Sequence, residues 1–304
     1  MLNLMNTAEI YDRVFDIYRK SFLKHLAFAG IAAICGAIIF FMIAFVVALI
    51  FGVLAAFLIA DMNVYGGGLF NDSSMIILII AIALVLVVIF ILWESIFSAG
   101  HILLSELDLF ERHITFPGER IIMTVLRVFS VMLAQLILLT PYVAAAGGLI
   151  FGAFTLSGET AAIVAGVAAL IGLFIYANIF ALSVAAAVIE NLAFFSAIAR
   201  GWQLIRENFW RVFFVKLMWL FVTLIISYTL QGAFSFFVFI ANMFFGGIDF
   251  GIMMLANTLF ALVNLVLTFA IMPLNGISQA VIYVNQRIKR EGLDIQLKMQ
   301  RLLQ

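Results

Sequence analysis

Six stretches of this chain run without one Lys, Arg, Asp or Glu: 26–60, 75–93, 128–158, 161–189, 217–248 and 250–286. A bilayer core is about 30 Å thick and takes roughly 20 apolar residues of helix, because a helix pairs its backbone N–H and C=O groups where no water can. The runs therefore predict six transmembrane helices and an all-α, polytopic integral membrane protein. Composition agrees: 66% of the 304 residues are hydrophobic and 11% charged, against about half and a quarter in soluble domains. The first run holds no Pro or polar break and is too short for two spans and a turn, so it reads as one long or tilted helix.

Sixteen basic residues balance sixteen acidic ones, which argues against a nucleic-acid partner, and the single Cys35 excludes a disulfide framework and a multi-thiolate metal site. No cofactor or metal is expected. Without a Pro-, Ser- or charge-rich linker the chain reads as a single membrane domain over 1–304. Glu9, Asp12 and Asp16 occupy what would be the positive region of a signal peptide, so no cleavage is expected.

Basic residues near span ends stay on the cytoplasmic side, and here they segregate completely. Arg13, Arg19, Lys20 and Lys24 precede the first span; Arg112, Arg120 and Arg127 lie between the second and third. Arg200, Arg206, Arg211 and Lys216 lie between the fourth and fifth, and Arg287, Lys289, Arg290, Lys298 and Arg301 follow the sixth. The alternate connections carry only Asp61, Asp72, Glu159 and Asp249. Both termini are expected in the cytoplasm of a cell whose inner (plasma) membrane holds the protein. The short outer connections leave no room for a folded module, so function is expected within the bilayer or at its inner face.

An amphipathic stretch precedes each pair of spans. The first runs through Ile10, Val14, Tyr18 and Phe22, the second through Ile121, Ile122, Val125, Leu126 and Phe129, and the third through Phe194, Ile198, Trp202, Ile205 and Phe209. Helical spacing of apolar residues beside basic ones predicts helices lying in the headgroup layer. The outer two also align, Ile17-Tyr18-Arg19-Lys20-Ser21-Phe22-Leu23-Lys24 with Leu204-Ile205-Arg206-Glu207-Asn208-Phe209-Trp210-Arg211. The chain thus reads as three units of amphipathic helix plus helical hairpin, about 1–108, 109–192 and 193–304. A mitochondrial carrier would also have six spans in three units. Its Pro-x-Asp/Glu-x-x-Lys/Arg signature is absent, since Pro117, Pro141 and Pro273 are followed by Gly-Glu, Tyr-Val and Leu-Asn.

The segments Ala187-Val188-Ile189-Glu190-Asn191, Ala197-Ile198-Ala199-Arg200-Gly201-Trp202-Gln203-Leu204 and Asn208-Phe209-Trp210-Arg211 resemble the membrane domain associated with glycerophosphoryl diester phosphodiesterases. The ending Tyr283-Val284-Asn285-Gln286-Arg287-Ile288-Lys289-Arg290-Glu291-Gly292-Leu293-Asp294 and the opening Ile17-Tyr18-Arg19-Lys20-Ser21-Phe22 are similar to that family's. Asn285 stands where the family usually has Asp. The resemblance implies a six-helix bacterial or archaeal membrane domain, sometimes fused to a phosphodiesterase. That enzyme needs a separate barrel of about 250 residues, so this chain reads as the stand-alone kind.

Candidate chemistry lies mainly on two polar stripes. Glu94, Ser98, His101, Ser105, Asp108 and Arg112 are spaced by four, three, four, three and four, one helical face at the inner end of the second span. They can line a cleft, with His101 titrating between acidic neighbours; the preferred reading is a helix leaving the membrane with a solvated face. Asn264, Asn275, Gln279 and Gln286 share a face of the sixth run around Pro273, whose freed carbonyl needs a polar neighbour. They read first as amides tying helices together and second as part of a polar cavity. Asn178 completes the cavity candidates: Glu94, Ser98, His101, Asn178, Asn264, Asn275 and Gln279. Glu190 is expected at the membrane edge or paired with Arg200 or Arg206, because a charge at the bilayer centre costs about 2.5–3.5 kcal/mol. Candidate headgroup or partner contacts are Arg19, Lys20, Arg127, Arg200, Arg206, Arg211, Arg287 and Arg290. Gly148 and Gly152 form a GxxxG, a weak signal for close helix contact, and Gly66-Gly67-Gly68 reads as a turn.

No Walker loop, G-x-S-x-G or H-E-x-x-H is present, and His25, His101 and His113 are scattered. The expectation is therefore a non-catalytic membrane-organising or accessory component at the cytoplasmic face. Its partners would be the lipid bilayer and a membrane or cytoplasmic protein such as an ABC-type exporter. The alternative is a transporter or lipid-handling permease using the polar stripes of spans two and six. A membrane-embedded lipid enzyme ranks third, since no residue set supports it.

Overall fold

The structure, a computed structural model, describes the backbone of residues 4–65, 72–110, 118–244, 250–293, 295 and 299. Gly66-Gly67-Gly68, Arg112, His113, Lys298 and Arg301 lie outside the described residues. The described residues form helices: α1 (Thr7–Tyr65), α2 (Asp72–Leu109), α3 (Gly118–Ser157), α4 (Glu159–Ala177), α5 (Ser183–Ile189), α6 (Phe194–Ile205), α7 (Phe209–Phe244) and α8 (Phe250–Glu291), and no strand is present among them. Six segments are long and apolar enough to cross a membrane: Thr7–Ile38, Val85–Leu109, Arg120–Ser157, Glu159–Ile189, Phe209–Ala233 and Ala261–Glu291. Each overlaps one of the six uncharged runs, with the first beginning well before its run and the second ending well after, and together they describe a multi-pass membrane protein.

The amphipathic stretches join their spans in different ways. The first is continuous with α1 except at Ser21, whose φ of −112° and ψ of 15° leave the helical region, while its hydroxyl donates to the Ile17 carbonyl at 2.7 Å. The second runs without a break into α3. The third is the separate helix α6, which ends before a turn where Asn208 N donates to the Ile205 carbonyl at 2.8 Å. Ser21 and Asn208 are the same position in the alignment of the two outer stretches, so the chain bends at matching points.

The apolar faces of the first and third stretches are spent largely on the protein. Ile10, Val14 and Ile17 of the first, Val128 and Val131 of α3, and Ala197, Ile198, Leu204 and Ile205 of α6 are buried in one core with residues 180–182 and 184–188 and the 277–284 turns of α8. For the first and third stretches this corrects the expectation of helices lying apolar-side-down in the headgroup layer. The second stretch stays exposed at Ile122 and Leu126, and part of α6 also turns outward, through Phe194, Phe195 and Trp202. The core therefore sits at the end of the spans where the amphipathic segments gather. Away from it burial vanishes: α4 buries no side chain, and Leu149, Phe151 and Leu156 of α3 are exposed. Apolar side chains on such surfaces suit a lipid environment, where exposure costs nothing. The GxxxG expectation fails here, because a Cβ on Gly148 or Gly152 would meet nothing within 4 Å.

Two prolines interrupt α3 and α8, at Pro141 and Pro273. A proline lacks the N–H that would pair one turn back and crowds the preceding carbonyls. Each is served by a tyrosine. Tyr176 Oη donates to the Leu138 carbonyl at 3.0 Å and Tyr18 Oη to the Ala270 carbonyl at 2.7 Å, in both cases three residues before the proline.

Candidate functional site

The fourth uncharged run is not one helix. α4 ends at Ala177, Asn178–Phe180 form a single 3-10 turn, and α5 resumes at Ser183. No proline or glycine lies in this segment; the break is held from outside. Asn178 Nδ2 donates back to the Phe174 carbonyl at 2.7 Å, Lys216 Nζ of α7 donates to the Ala181 carbonyl at 3.2 Å, and Gln135 Nε2 of α3 to Ser183 Oγ at 2.5 Å. α6 presses against the break at Gly201, where a Cβ would sit 2.9 Å from the Ser183 nitrogen and 3.2 Å from the Leu182 carbonyl carbon. Interrupted helices survive within membranes where the freed backbone is packed in protein or lines a cavity.

Here it does both. A cavity of about 680 Å³ lies beside the break. α4 and its turn contribute Phe174, Ala177 and Asn178; α8 contributes Leu267, Thr268, Ile271, Met272 and Asn275; α2 contributes Glu94. α7 supplies Lys216, Trp219, Leu220, Thr223, Ser227 and Gln231. Leu220, Gln231 and Asn275 are exposed, so the cavity opens to the outside of the bundle, on the side where α4 and α7 meet through the rings of Phe174 and Phe213, 5.4 Å between centroids.

Of the cavity residues expected from sequence, Glu94, Asn178 and Asn275 converge on this space, and Ser98 stands behind it, donating to Glu94 Oε1 at 3.2 Å. His101, Asn264 and Gln279 do not line it. The solvated-face reading of the α2 stripe is overturned, since Ser105 is fully buried and His101 is 1% exposed. His101 Nδ1 lies 3.1 Å from Nδ1 of His25, itself fully buried, and a Cβ on Gly276 of α8 would come within 2.6 Å of His101 Cβ. One ring must donate and the other accept, and both Nε2 atoms are buried without a partner.

Lys216, Thr223, Ser227 and Gln231 were not anticipated. Their separations of seven, four and four mark one face of a helix, but the stripe begins at a lysine assigned to the connection before the span. Among the described residues, Glu94 has no cation partner and Lys216 no carboxylate partner; each makes one polar contact, with Ser98 and Ala181 respectively. Trp219 is 5% exposed and its Nε1 has no acceptor, although its ring is stacked against Tyr11 at 5.8 Å.

A second group of charges is paired. Glu190, at the end of α5, receives Arg200 Nε and Nη2 at 2.8 and 2.9 Å, Tyr283 Oη at 2.6 Å and Arg287 Nε at 3.1 Å. Glu291 closes the cluster, 2.5 Å from Arg200 and 3.1 Å from Arg287. Burial pushes the Glu190 carboxyl up, but hydrogen bonds from Arg200 and Tyr283 and the charges of Arg287 and Arg200 outweigh it and hold the group below its ordinary range. The same contact with Glu190, reinforced by Glu291, raises Arg200. The segments that carry the family resemblance thus meet one another. Asn285 takes no part in this cluster; it pairs both ways with the Met5 backbone, accepting from N at 2.9 Å and donating to O at 3.2 Å.

Most of the basic residues expected to meet headgroups or partners have protein contacts instead. Lys20 pairs with Asp16 at 2.9 Å, Arg127 with Asn191, Arg211 with the Met5 carbonyl at 3.3 Å, and Arg290 with Glu207 and the Gln203 carbonyl. Arg19 and Arg206, equivalent in the alignment of the outer stretches, are exposed. No group of three or more metal-ligating side chains occurs among the described residues. Comparison with known protein families, with curated proteins and with solved structures gives no match to this chain.

Proposed function

We propose that this protein is a lipid-handling permease of a bacterial inner membrane, with both termini in the cytoplasm and three hairpin units, of which the outer two are clearly related. The observation that carries the reading is the polar stripe of α7 facing a laterally open cavity beside a broken helix. From Lys216 to Gln231 is fifteen residues, about 22 Å along a helix, or most of a hydrocarbon core about 30 Å thick. Thr223 and Ser227 lie between. A lipid can pass its headgroup along such a track while its chains stay in the bilayer, which removes the main cost of crossing, that of placing polar groups in hydrocarbon. Discontinuous helices beside a binding site are a recurring device in transporters. The matching bends at Ser21 and Asn208 support the relation between the outer units.

The test is reconstitution into liposomes with acyl-labelled phospholipid and measurement of label reaching the opposite leaflet. Ser227→Leu and Gln231→Leu are expected to cut the protein-dependent rate about tenfold or more while the protein elutes and melts as before. A wild-type rate equal to that of protein-free vesicles overturns the reading. The accessory role gains one observation of its own, since exposed Arg19 and Arg206 offer two equivalent cationic points to a partner or a headgroup. Charge reversal at both sites, with flux unchanged and capture of a co-expressed exporter lost, would favour it.

A further inference from the structure

The cavity holds two opposite charges that do not neutralise each other. Among the described residues, Glu94 is met only by a serine hydroxyl and Lys216 only by a backbone carbonyl, although both line the same space. Two ions left apart in a poorly solvated site each carry a desolvation cost that a direct pair would reduce. That cost is recovered when a ligand brings the complementary charges. The remaining wall is mainly apolar, with Leu220, Ile271 and Met272, and the amide of Asn275 is exposed to the space. We infer that the cavity binds a zwitterion of the phosphoethanolamine class, its primary ammonium on Glu94 and its phosphate on Lys216.

This rests on the lipid-handling reading and narrows it. A primary ammonium carries three donors and can bond directly to the carboxylate of Glu94, whereas a quaternary ammonium carries none. A lipid with a phosphate and no amine leaves Glu94 uncompensated. The volume, about 680 Å³, is in the range of small-molecule sites and takes a headgroup with part of its chains. Trp219, one turn along α7 from Lys216, adds an aromatic wall to the same space.

The experiment uses the full chain in detergent, titrated with lysophosphatidylethanolamine, lysophosphatidylglycerol, lysophosphatidylcholine and soluble O-phosphoethanolamine, with retention read by native mass spectrometry. The ethanolamine lipid is expected to bind about tenfold tighter than the other two, the worth of one charge-assisted contact. Glu94→Gln is expected to erase that preference, and Lys216→Gln to weaken all three lipids alike. Both replacements are close in size, and circular dichroism with elution volume verifies folding; should Glu94→Gln fail this check, Glu94→Asp, which withdraws the carboxylate by one methylene, is expected to reduce the preference. If O-phosphoethanolamine displaces the lipid at comparable concentration, the group is recognised without its chains and the source is a soluble zwitterion; if it does not, the source is the phospholipid. Equal retention of the ethanolamine and glycerol lipids overturns the inference and leaves the permease reading standing, whereas absence of flux in the liposome assay removes the reading beneath it.

Discussion

The carboxylates Glu190 and Glu94 sit on the same protein under opposite conditions. Glu190 is saturated: two arginines and a tyrosine approach within 3.1 Å and a second carboxylate balances the cluster. Glu94 faces an open cavity with a single serine beside it. The first arrangement ties the end of α5 and the last turns of α8 to the middle of α6, and leaves nothing for a ligand to satisfy. The second contributes little to packing and keeps its bonding capacity for something else. Where charges are paired the protein is held together; where they are apart it is ready to bind.

The largest effect expected from this contrast is on stability. Arg200→Ala leaves Glu190 and Glu291 with Arg287 as the cation they share, and removing one member of a buried ionic cluster costs about 3–5 kcal/mol. These side chains are 18–25% exposed, which points to the lower part of that range. Glu94→Gln is expected to change stability by less than about 1 kcal/mol, as is usual for a replacement that breaks no network. Denaturant melts of the two variants in one detergent make the comparison, and equal losses would end it.

The acid limb sharpens the same contrast. Because folding lowers the Glu190 pKa below its ordinary value of 4.5, its contribution to stability is fully present above that value and is lost as pH falls through the folded-state value. Midpoints of unfolding should therefore drop on acidification below about pH 4.5 in the wild type, and drop less steeply in Glu190→Gln. An unchanged slope would mean that other carboxylates set the acid limit.

Sequence alone predicted six spans, because long uncharged runs bounded by charged residues leave few alternatives. It located part of the site: Glu94, Asn178 and Asn275 stood out as polar residues in apolar surroundings. It missed the break in the fourth run because nothing local causes it. Asn178-Ile179-Phe180-Ala181-Leu182 contains no helix breaker, and the partners that stabilise the open turn come from Gln135, Lys216 and Gly201, far away in the chain. His25 and His101 are 76 residues apart, and no periodicity links them. The α2 stripe was read as solvated because amphipathic spacing reports that a face differs from the rest, without saying whether water or protein covers it.

Gly201→Ala should have the next largest effect. The added methyl would meet backbone atoms at the break, at 2.9 and 3.2 Å, and backbone cannot rotate aside as a side chain can. Overpacking of this kind costs about 1–3 kcal/mol. Since the strain falls on the turn that borders the cavity, lipid flux should decline along with the melting midpoint, whereas Gly148→Ala, which meets open space, should leave both unchanged. A harmless Gly201→Ala would show that α6 and the break slide apart easily, and would weaken the case that the turn is held in place by its neighbours.

The smallest effect concerns the tyrosines beside the prolines. Tyr176→Phe removes the donor to the Leu138 carbonyl and is expected to cost about 1 kcal/mol, the net worth of one hydrogen bond. The proline makes the case testable. In Pro141→Ala a backbone N–H returns to the Ile137 carbonyl and the ring no longer crowds that turn, so the adjacent Leu138 carbonyl can be drawn back into the helix. The same tyrosine replacement should then cost less, and a double-mutant cycle over the two positions reads the difference directly. Additive losses would mean that the hydrogen bond is worth the same with or without the proline, and no loss from Tyr176→Phe would mean that Tyr176 matters only for its stacking on Tyr142, whose ring lies 5.3 Å away, an interaction Phe retains. A measurable coupling would tie α4, the helix that flanks the open side of the cavity, to a defect in α3 rather than to general apolar contact.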